Sequence, residues 1–326
     1  MRAAGGPNLR PTGFLLPPLP HSVDAARLHR RAILFMVVAP LCWSSGGLLV
    51  RLLSFRDAWE IVFWRSLFMA LFVAGTLVVL HGRRVPQAVR SVGWPGLLAG
   101  AFLAGQFFLF IASLTRTTVA NTFVLMSVSP FLAALAARLL LREAVPMRTW
   151  IAMSVAFGGM VIMFSDSLDA GRLSGNLLAV GVSVLFALNV TVLRKVHATV
   201  DMLPTVMIAG LMSIAVALPL AAPFEATPRD LAVLAVLGCV QLGTGCLLMV
   251  AASRHLTATE LGLLALLEPI LGPVWVWALL GEAPGPLALA GGAIVLGAVI
   301  ANEAWAAWRG RSPPAVLAPP AATPGP

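Results

Sequence analysis

Apolar positions dominate this chain in ten runs separated by short polar stretches. They cover residues 32–53, 59–80, 94–114, 119–141 and 148–164, then 174–193, 203–222, 231–252, 257–280 and 285–305. Each run falls in or near the range of about 17 to 25 residues that a membrane-spanning helix needs. The pattern predicts an all-α membrane protein with ten transmembrane helices. The polar intervals are too short to form a catalytic domain.

The runs divide into two sets of five, and the sets are related. Sliding the sequence by 139 residues lays TTVANTFVLMSVSPFLAALAARLLLREAV on LTATELGLLALLEPILGPVWVWALLGEAP. This pairs Thr118 with Thr257, Pro130 with Pro269, Glu143 with Glu282, Ala144 with Ala283 and Gly158 with Gly297. Matched leucines mean little in such company, whereas matched Pro and Glu are rare in apolar runs. A set with an odd number of spans enters the membrane upside down relative to the one before it. The expectation is therefore two inverted five-helix repeats, 32–165 and 174–305. Residues 1–31 form a cytoplasmic N-terminal segment in this reading, and the Pro/Ala-rich residues 306–326 a disordered cytoplasmic tail.

Composition agrees with the pattern. Hydrophobic residues make up 59% of the chain and charged residues 11%, against roughly a quarter charged in a soluble domain. The net charge of +9 does not point to nucleic acid, because the arginines lie between apolar runs and not along one face. They set topology instead. With the N-terminus inside, 16 of the 22 Lys and Arg fall on the inner side and five outside (Arg51, Arg56, Arg116, Arg172, Arg229). That excess predicts a multi-pass protein of the inner (cell) membrane with both termini cytoplasmic. Trp59, Trp94, Trp150, Trp305 and Trp308 fall at span ends, as interfacial anchors should. The first 31 residues carry five arginines and the broken stretch FLLPPLP, which does not make a cleavable signal peptide, so the first span is expected to act as its own insertion signal. Cys42, Cys239 and Cys246 lie inside apolar runs without CxxC spacing and indicate neither a disulfide framework nor a metal site.

Several of these features together resemble a known group. Proline-centred fourth and ninth spans end in Leu-Leu-x-Glu (LLRE at 140–143, LLGE at 279–282), LLEP stands at 266–269, and Trp43 and Arg65 occupy the first and second spans. In their order and spacing, over residues 32–301, they resemble the drug/metabolite transporter superfamily, specifically its ten-helix EamA-type members. The resemblance implies a bundle around a central cavity, alternating access, and secondary active export or uptake of small metabolites driven by an ion gradient. It implies no particular substrate.

The residues that could carry chemistry centre on Glu268, a carboxylate near the middle of an apolar run, directly before Pro269. An ionisable group there is costly and is usually retained for function. Glu268 could take up and release a proton without leaving the membrane, or stay fixed as a partner of Arg65 or of backbone freed by Pro269 and Pro273. Arg65, the one basic residue deep in a span, should meet Glu268 or an anionic substrate group, or else pair with Glu60. Gln106, Asn121, Asn189 and Gln241 are the costliest uncharged groups to hide and join Trp43 as candidate substrate-binding residues. Ser44, Ser45, Ser127, Ser129, Thr244, Phe107, Phe186 and Trp275 could line the same cavity or serve packing. Glu143 and Glu282 close their spans and are read, with Pro130 and Pro269, as structural, accepting from the free N–H groups of the next helix. Glu260, eight residues before Glu268, is read as interfacial. The glycines fit close helix packing, with Gly96 and Gly100 forming a GxxxG.

No GxxxxGK[ST] is present, so ATP is not expected as the direct energy source, and no cofactor or metal is called for. All five histidines lie outside the runs and no HExxH occurs, with His197 and Asp201 in HATVD the sole nearby acid–base pair. The leading expectation is thus a proton-coupled exporter of amino acids or amphipathic compounds, without enzymatic activity. A membrane-embedded enzyme, or a receptor or structural membrane protein, is the alternative class. Expected partners are a small-molecule substrate, a coupling ion (a proton) and the lipid bilayer, with a homodimer open.

Overall fold

The computed structural model describes residues 21–55, 57–114, 116–117, 119–165, 173–196, 202–281 and 285–308, and every regular element among them is helical. The expected tail, the N-terminal residues before His21, Glu282, His197 and Asp201 lie outside the described residues. The first half of the chain runs through α1 (His21–Ser44), the short α2 (Gly46–Arg51), α3 (Ala58–His81), α4 (Val85–Ser91), α5 (Gly93–Leu114), α6 (Val119–Met126), α7 (Ser129–Ala136) and α8 (Met147–Phe164). The second half runs through α9 (Leu173–Val196), α10 (Pro204–Ala217), α11 (Pro228–Val236), α12 (Gly245–Ala252), α13 (Ala258–Ala265), α14 (Leu267–Leu280) and α15 (Pro286–Trp308). A π-helical segment, Ala137–Leu141, follows α7, and another, Leu237–Thr244, joins α11 to α12.

Among the described residues, nine helical stretches are long and apolar enough to cross a membrane, so the protein is a multi-pass membrane protein. The expected span at 203–222 is shorter than predicted: α10 has 14 residues, about 21 Å of helix. Prolines set its limits. Pro204 occupies its first turn, where a missing N–H costs nothing, and Pro219 stops it two residues past its end. The expected spans at 119–141 and 257–280 are each broken in the middle, for reasons that belong to the site.

Helix starts follow local chemistry. Asp57 caps α3 by accepting from the Glu60 N–H at 2.7 Å. Thr257 with Glu260, and Thr227 with Asp230, form reciprocal capping boxes that open α13 and α11. Gly281, at φ +72°, closes α14 in the left-handed conformation that glycine adopts without steric cost.

Packing between the halves joins three pairs of counterpart spans. α3 packs on α10, α8 on α15, and α7 on α13. Other contacts come as mates: α5 lies against α9 as α1 lies against α12, and α7 lies against α9 as α14 lies against α1. This is the arrangement of two inverted repeats. At the α8–α15 crossing, Gly159 meets the Gly291 carbonyl, and a Cβ on Gly291 would stand 2.4 Å from the Met163 nitrogen. Glycine is the one residue that fits there. In the expected GxxxG, Gly100 approaches Ile208 of α10, whereas Gly96 faces Val92, four residues back along its own chain. The interior is rich in methionine (Met36, Met69, Met153, Met160, Met249), and apolar side chains such as Leu71, Val79, Ile151, Leu177 and Leu289 are exposed around the outside, as lipid contact requires.

Candidate functional site

Two helix breaks frame the site. Pro130 and Pro269 cannot donate to the carbonyl four residues back, and their rings clash with it, so the helix entering each ends just before. α6 stops at Met126 and α7 restarts at Ser129, while α13 stops at Ala265 and α14 restarts at Leu267. Each proline then sits in the first turn of the new helix, where N–H groups have no intrahelical partner anyway. The 139-residue offset maps one break onto the other and puts Ser129 in register with Glu268. The broken helices pack on each other there: a Cβ on Gly262 would come 2.9 Å from the Pro130 Cα.

Between them lies a cavity of about 130 Å³. Its walls carry Trp43 from α1, Arg65 from α3, Gln106, Phe107 and Phe110 from α5, and Phe123 and Met126 from α6. Ser127 and Ser129, Ser183 and Phe186 of α9, Gln241, Cys246, Met249, Glu268 and Pro269 also line it. Glu268 is half-buried in the first turn of α14, where the helix dipole favours a negative charge. It makes no hydrogen bond or ion pair with any described residue. Arg65 is 6% exposed, lies with its guanidinium 5.4 Å from the centre of the Phe107 ring, and leaves Nε and Nη2 buried without an acceptor.

The expected pairing of Arg65 with Glu268 or with Glu60 is therefore not what the structure holds. Glu60 is fully buried and already occupied, accepting from the Glu225 and Ala226 N–H groups and from Trp64 Nε1 at 3.2 Å. It ties the chain before α11 to α3.

Gln241 reaches the cavity because it stands in the π-helical segment, whose wider turn re-aims side chains and is often found at functional sites. Its Nε2 donates to the Trp43 carbonyl at 3.0 Å and its Oε1 has no partner. Two glycines make this possible. Gly238 lets the segment lie against the Arg65 backbone, and Gly245 lets the Trp43 indole lie flat, since a Cβ there would sit 2.2 Å from Trp43 Nε1. That indole N–H has the Cys246 thiol as a neighbour and makes no hydrogen bond within normal limits. Gln106 lines the cavity and donates to the Phe102 carbonyl at 3.2 Å.

Two expected site residues lie elsewhere. Asn189 is buried off the cavity and donates to the Ala99 carbonyl at 2.8 Å, fastening α9 to α5. Asn121 joins Thr117 and Asn176 in a buried cluster where α6 meets α9, with bonds of 3.0 and 3.1 Å. Trp275 donates to Ser44 Oγ at 2.9 Å and holds α14 to α1. Cavity residues that the sequence reading passed over have simple signals: Phe110 follows Gln106 by one helical turn, and Cys246 and Met249 follow Gln241 on the same face.

At the end of the bundle where α13 begins, polar contacts join the helices. Glu143 pairs with Arg194 at 3.3 Å, bridging to the last turn of α9, and does not serve the N-terminus of α8 as expected. The reason is proximity, since the left-handed turn at Arg142 leaves Glu143 beside α9. Arg194 also donates to the Arg254 carbonyl, and His29 to that of His255 at 3.0 Å. The His255 imidazole is held below the usual histidine pKa, first by partial burial and then by the charges of Arg254, Arg194 and His29.

The chain is similar to known proteins along most of its length. The profile of the EamA-like transporter family matches twice, at residues 30–165 and 173–302. The pseudopaline exporter CntI of Pseudomonas aeruginosa is 28% identical over 284 residues in both strain UCBPP-PA14 and strain PAO1, covering 84% of this chain and 96% of the relative. A solved crystal structure superposes with a TM-score of 0.73 at 16% identity, covering 87% of this chain and 99% of its own, which speaks to the fold alone.

Proposed function

The chain belongs to the EamA-like transporter family, and from that premise we propose that it is a proton-coupled exporter of small zwitterionic or amphipathic metabolites, amino acids among them. The observation that carries the reading is the pair of unpartnered charges, Arg65 and Glu268, facing one small cavity from opposite repeats. A buried guanidinium with two nitrogens free to donate matches a carboxylate. Glu268, some way round the same wall, matches an ammonium group or a proton. Trp43, Phe107, Phe110, Phe123 and Phe186 supply the apolar and aromatic surface such a solute needs between its ends.

Export is favoured because the curated relatives are described as exporters. The Lys/Arg distribution supports an inner-membrane location with both termini in the cytoplasm. In that orientation Arg65, Phe110, Phe123 and Ser183 belong to the outer halves of their helices, while the contacts of His29, Glu143 and Arg194 close the cytoplasmic end. Loading from the cytoplasm requires breaking those contacts. Protonation of Glu268 removes the charge that a solute ammonium would neutralise, so proton and solute compete for one carboxylate and exchange across the membrane.

The test is transport in proteoliposomes under an imposed pH gradient, with a panel of amino acids and small amphipathic cations, comparing wild type with Glu268→Gln. Loss of gradient-driven transport with solute exchange retained supports coupling at Glu268. Gradient-driven transport at the wild-type rate in the variant removes it.

A further inference from the structure

Away from the cavity, at the end of the bundle where α13 begins and α15 ends, three side chains from three helices converge: His29 of α1, Glu260 of α13 and Glu303 of α15. One ligand atom from each lies within 4.8 Å of the others, with His29 Nε2 3.9 Å from Glu260 Oε1. All three side chains are half-buried.

Each residue is held by its second atom and leaves the first free. His29 Nδ1 donates to the His255 carbonyl at 3.0 Å, which leaves Nε2 as the nitrogen that offers its lone pair to an ion once it carries no proton. Glu260 uses Oε2 for the Thr257 N–H and hydroxyl, at 2.7 and 2.9 Å, and turns Oε1 toward His29. Glu303 takes the Asn302 amide on Oε1 at 3.1 Å, while its Oε2 is buried with no hydrogen-bond partner. Asn302 is in turn fixed by Thr149 at 3.2 Å. Fixing one atom of a ligand so that the other points at the metal is what outer-shell groups do in metal sites.

We propose that His29, Glu260 and Glu303 bind a divalent cation of the Zn²⁺ type. One imidazole nitrogen and two carboxylate oxygens suit a borderline ion, with water filling the remaining position. Tetrahedral ligands about 2.1 Å from zinc stand roughly 3.4 Å apart, so small side-chain rotations close the present gap. Two carboxylates facing each other repel, and a dication between them reverses that. Arg148 supplies positive charge near Glu303 when no ion is bound. Because α1 lies in the first repeat and α13 and α15 in the second, a bound ion clamps the halves together at this end. The site is independent of the solute cavity, about 12 Å along the α13–α14 axis from Glu268.

Calorimetric titration of Zn²⁺ into the purified full-length chain in detergent tests this, with Co²⁺ absorption as a second probe. The expected result is one ion per chain, bound about tenfold or more weakly in both His29→Gln and Glu303→Gln. Glu143→Gln, outside the trio, is expected to bind as wild type. Either absence of binding to wild type or unchanged binding in the two trio variants overturns the proposal. Each variant's melting temperature without metal checks that it is folded.

Discussion

Ser129 and Glu268 stand at the same place in the two halves of the molecule, each directly before the proline that opens a second half-helix on the cavity wall. One position is neutral and the other ionisable. Replacing each in turn tests which half carries the coupling. Ser129→Ala is expected to keep gradient-driven transport within about threefold of wild type, whereas Glu268→Gln loses it by a factor of ten or more, as a change of about 1.4 kcal/mol or larger implies. Initial rates in proteoliposomes measure both.

Arg65 is expected to trade stability for function. Two of its donors are buried without acceptors, and each such group costs about 1–3 kcal/mol. Arg65→Met removes that cost while keeping contact with Phe107, so it should raise the melting temperature and abolish transport of carboxylate-bearing solutes. A lower melting temperature together with normal transport would make Arg65 a packing residue.

Asn189 and Gln241 separate packing from binding. Asn189→Ala loses an interhelical bond to the Ala99 carbonyl and is expected to cost roughly 0.6 to 1.7 kcal/mol of stability with KM unchanged. Gln241→Ala should raise KM with a smaller effect on melting. Paired thermal and transport measurements read out the difference.

The glycines make sharp steric predictions. Gly291→Ala puts a methyl 2.4 Å from the Met163 nitrogen and should prise α15 from α8, costing 2 kcal/mol or more by the usual scale of overpacking, about 1–3 kcal/mol. Gly158→Ala, one helical position from that crossing, meets nothing within 4 Å and is expected to be tolerated. Gly245→Ala displaces the Trp43 indole and should impair solute binding more than stability.

His255 gives a pH dependence. Its folded pKa lies below the ordinary value, so between the two the unfolded chain holds more protons and stability rises with pH. Melting temperature should fall as pH drops below about 6.5, the ordinary histidine value, into the range between it and the lower folded one. His255→Gln should flatten that part of the profile. An unchanged slope in the variant assigns the effect to another group.

Much of this was legible in the sequence. Long apolar runs announce membrane helices, and a proline repeated at a fixed offset announces a paired break, because both follow from backbone chemistry alone. The direction in which a side chain points does not. Asn121 and Asn189 carry the same amide as Gln241, yet only Gln241 sits in a π-helical segment that turns it to the cavity. Arg65 could be placed deep in a span from its position, but whether it met Glu60 depended on the chain before α11, whose Glu225 and Ala226 amides had already taken that carboxylate. Glu143 was likewise drawn to Arg194, 51 residues away, by a left-handed turn that composition does not signal.

α3 with α10 and α8 with α15 pair counterpart spans, the broken fourth and ninth spans meet through α7 and α13, and contacts such as α5 on α9 and α1 on α12 come as equivalent mates, so much of the seam has its equivalent in the other half. Such a seam is nearly indifferent to which half adopts which shape. Swapping the two shapes turns an opening at one face into an opening at the other with little change in the kind of surface in contact. If the protein works by alternating access as proposed, the two arrangements are wells of similar depth, and a solute or a proton that favours one by about 5 kcal/mol is enough to tip the population.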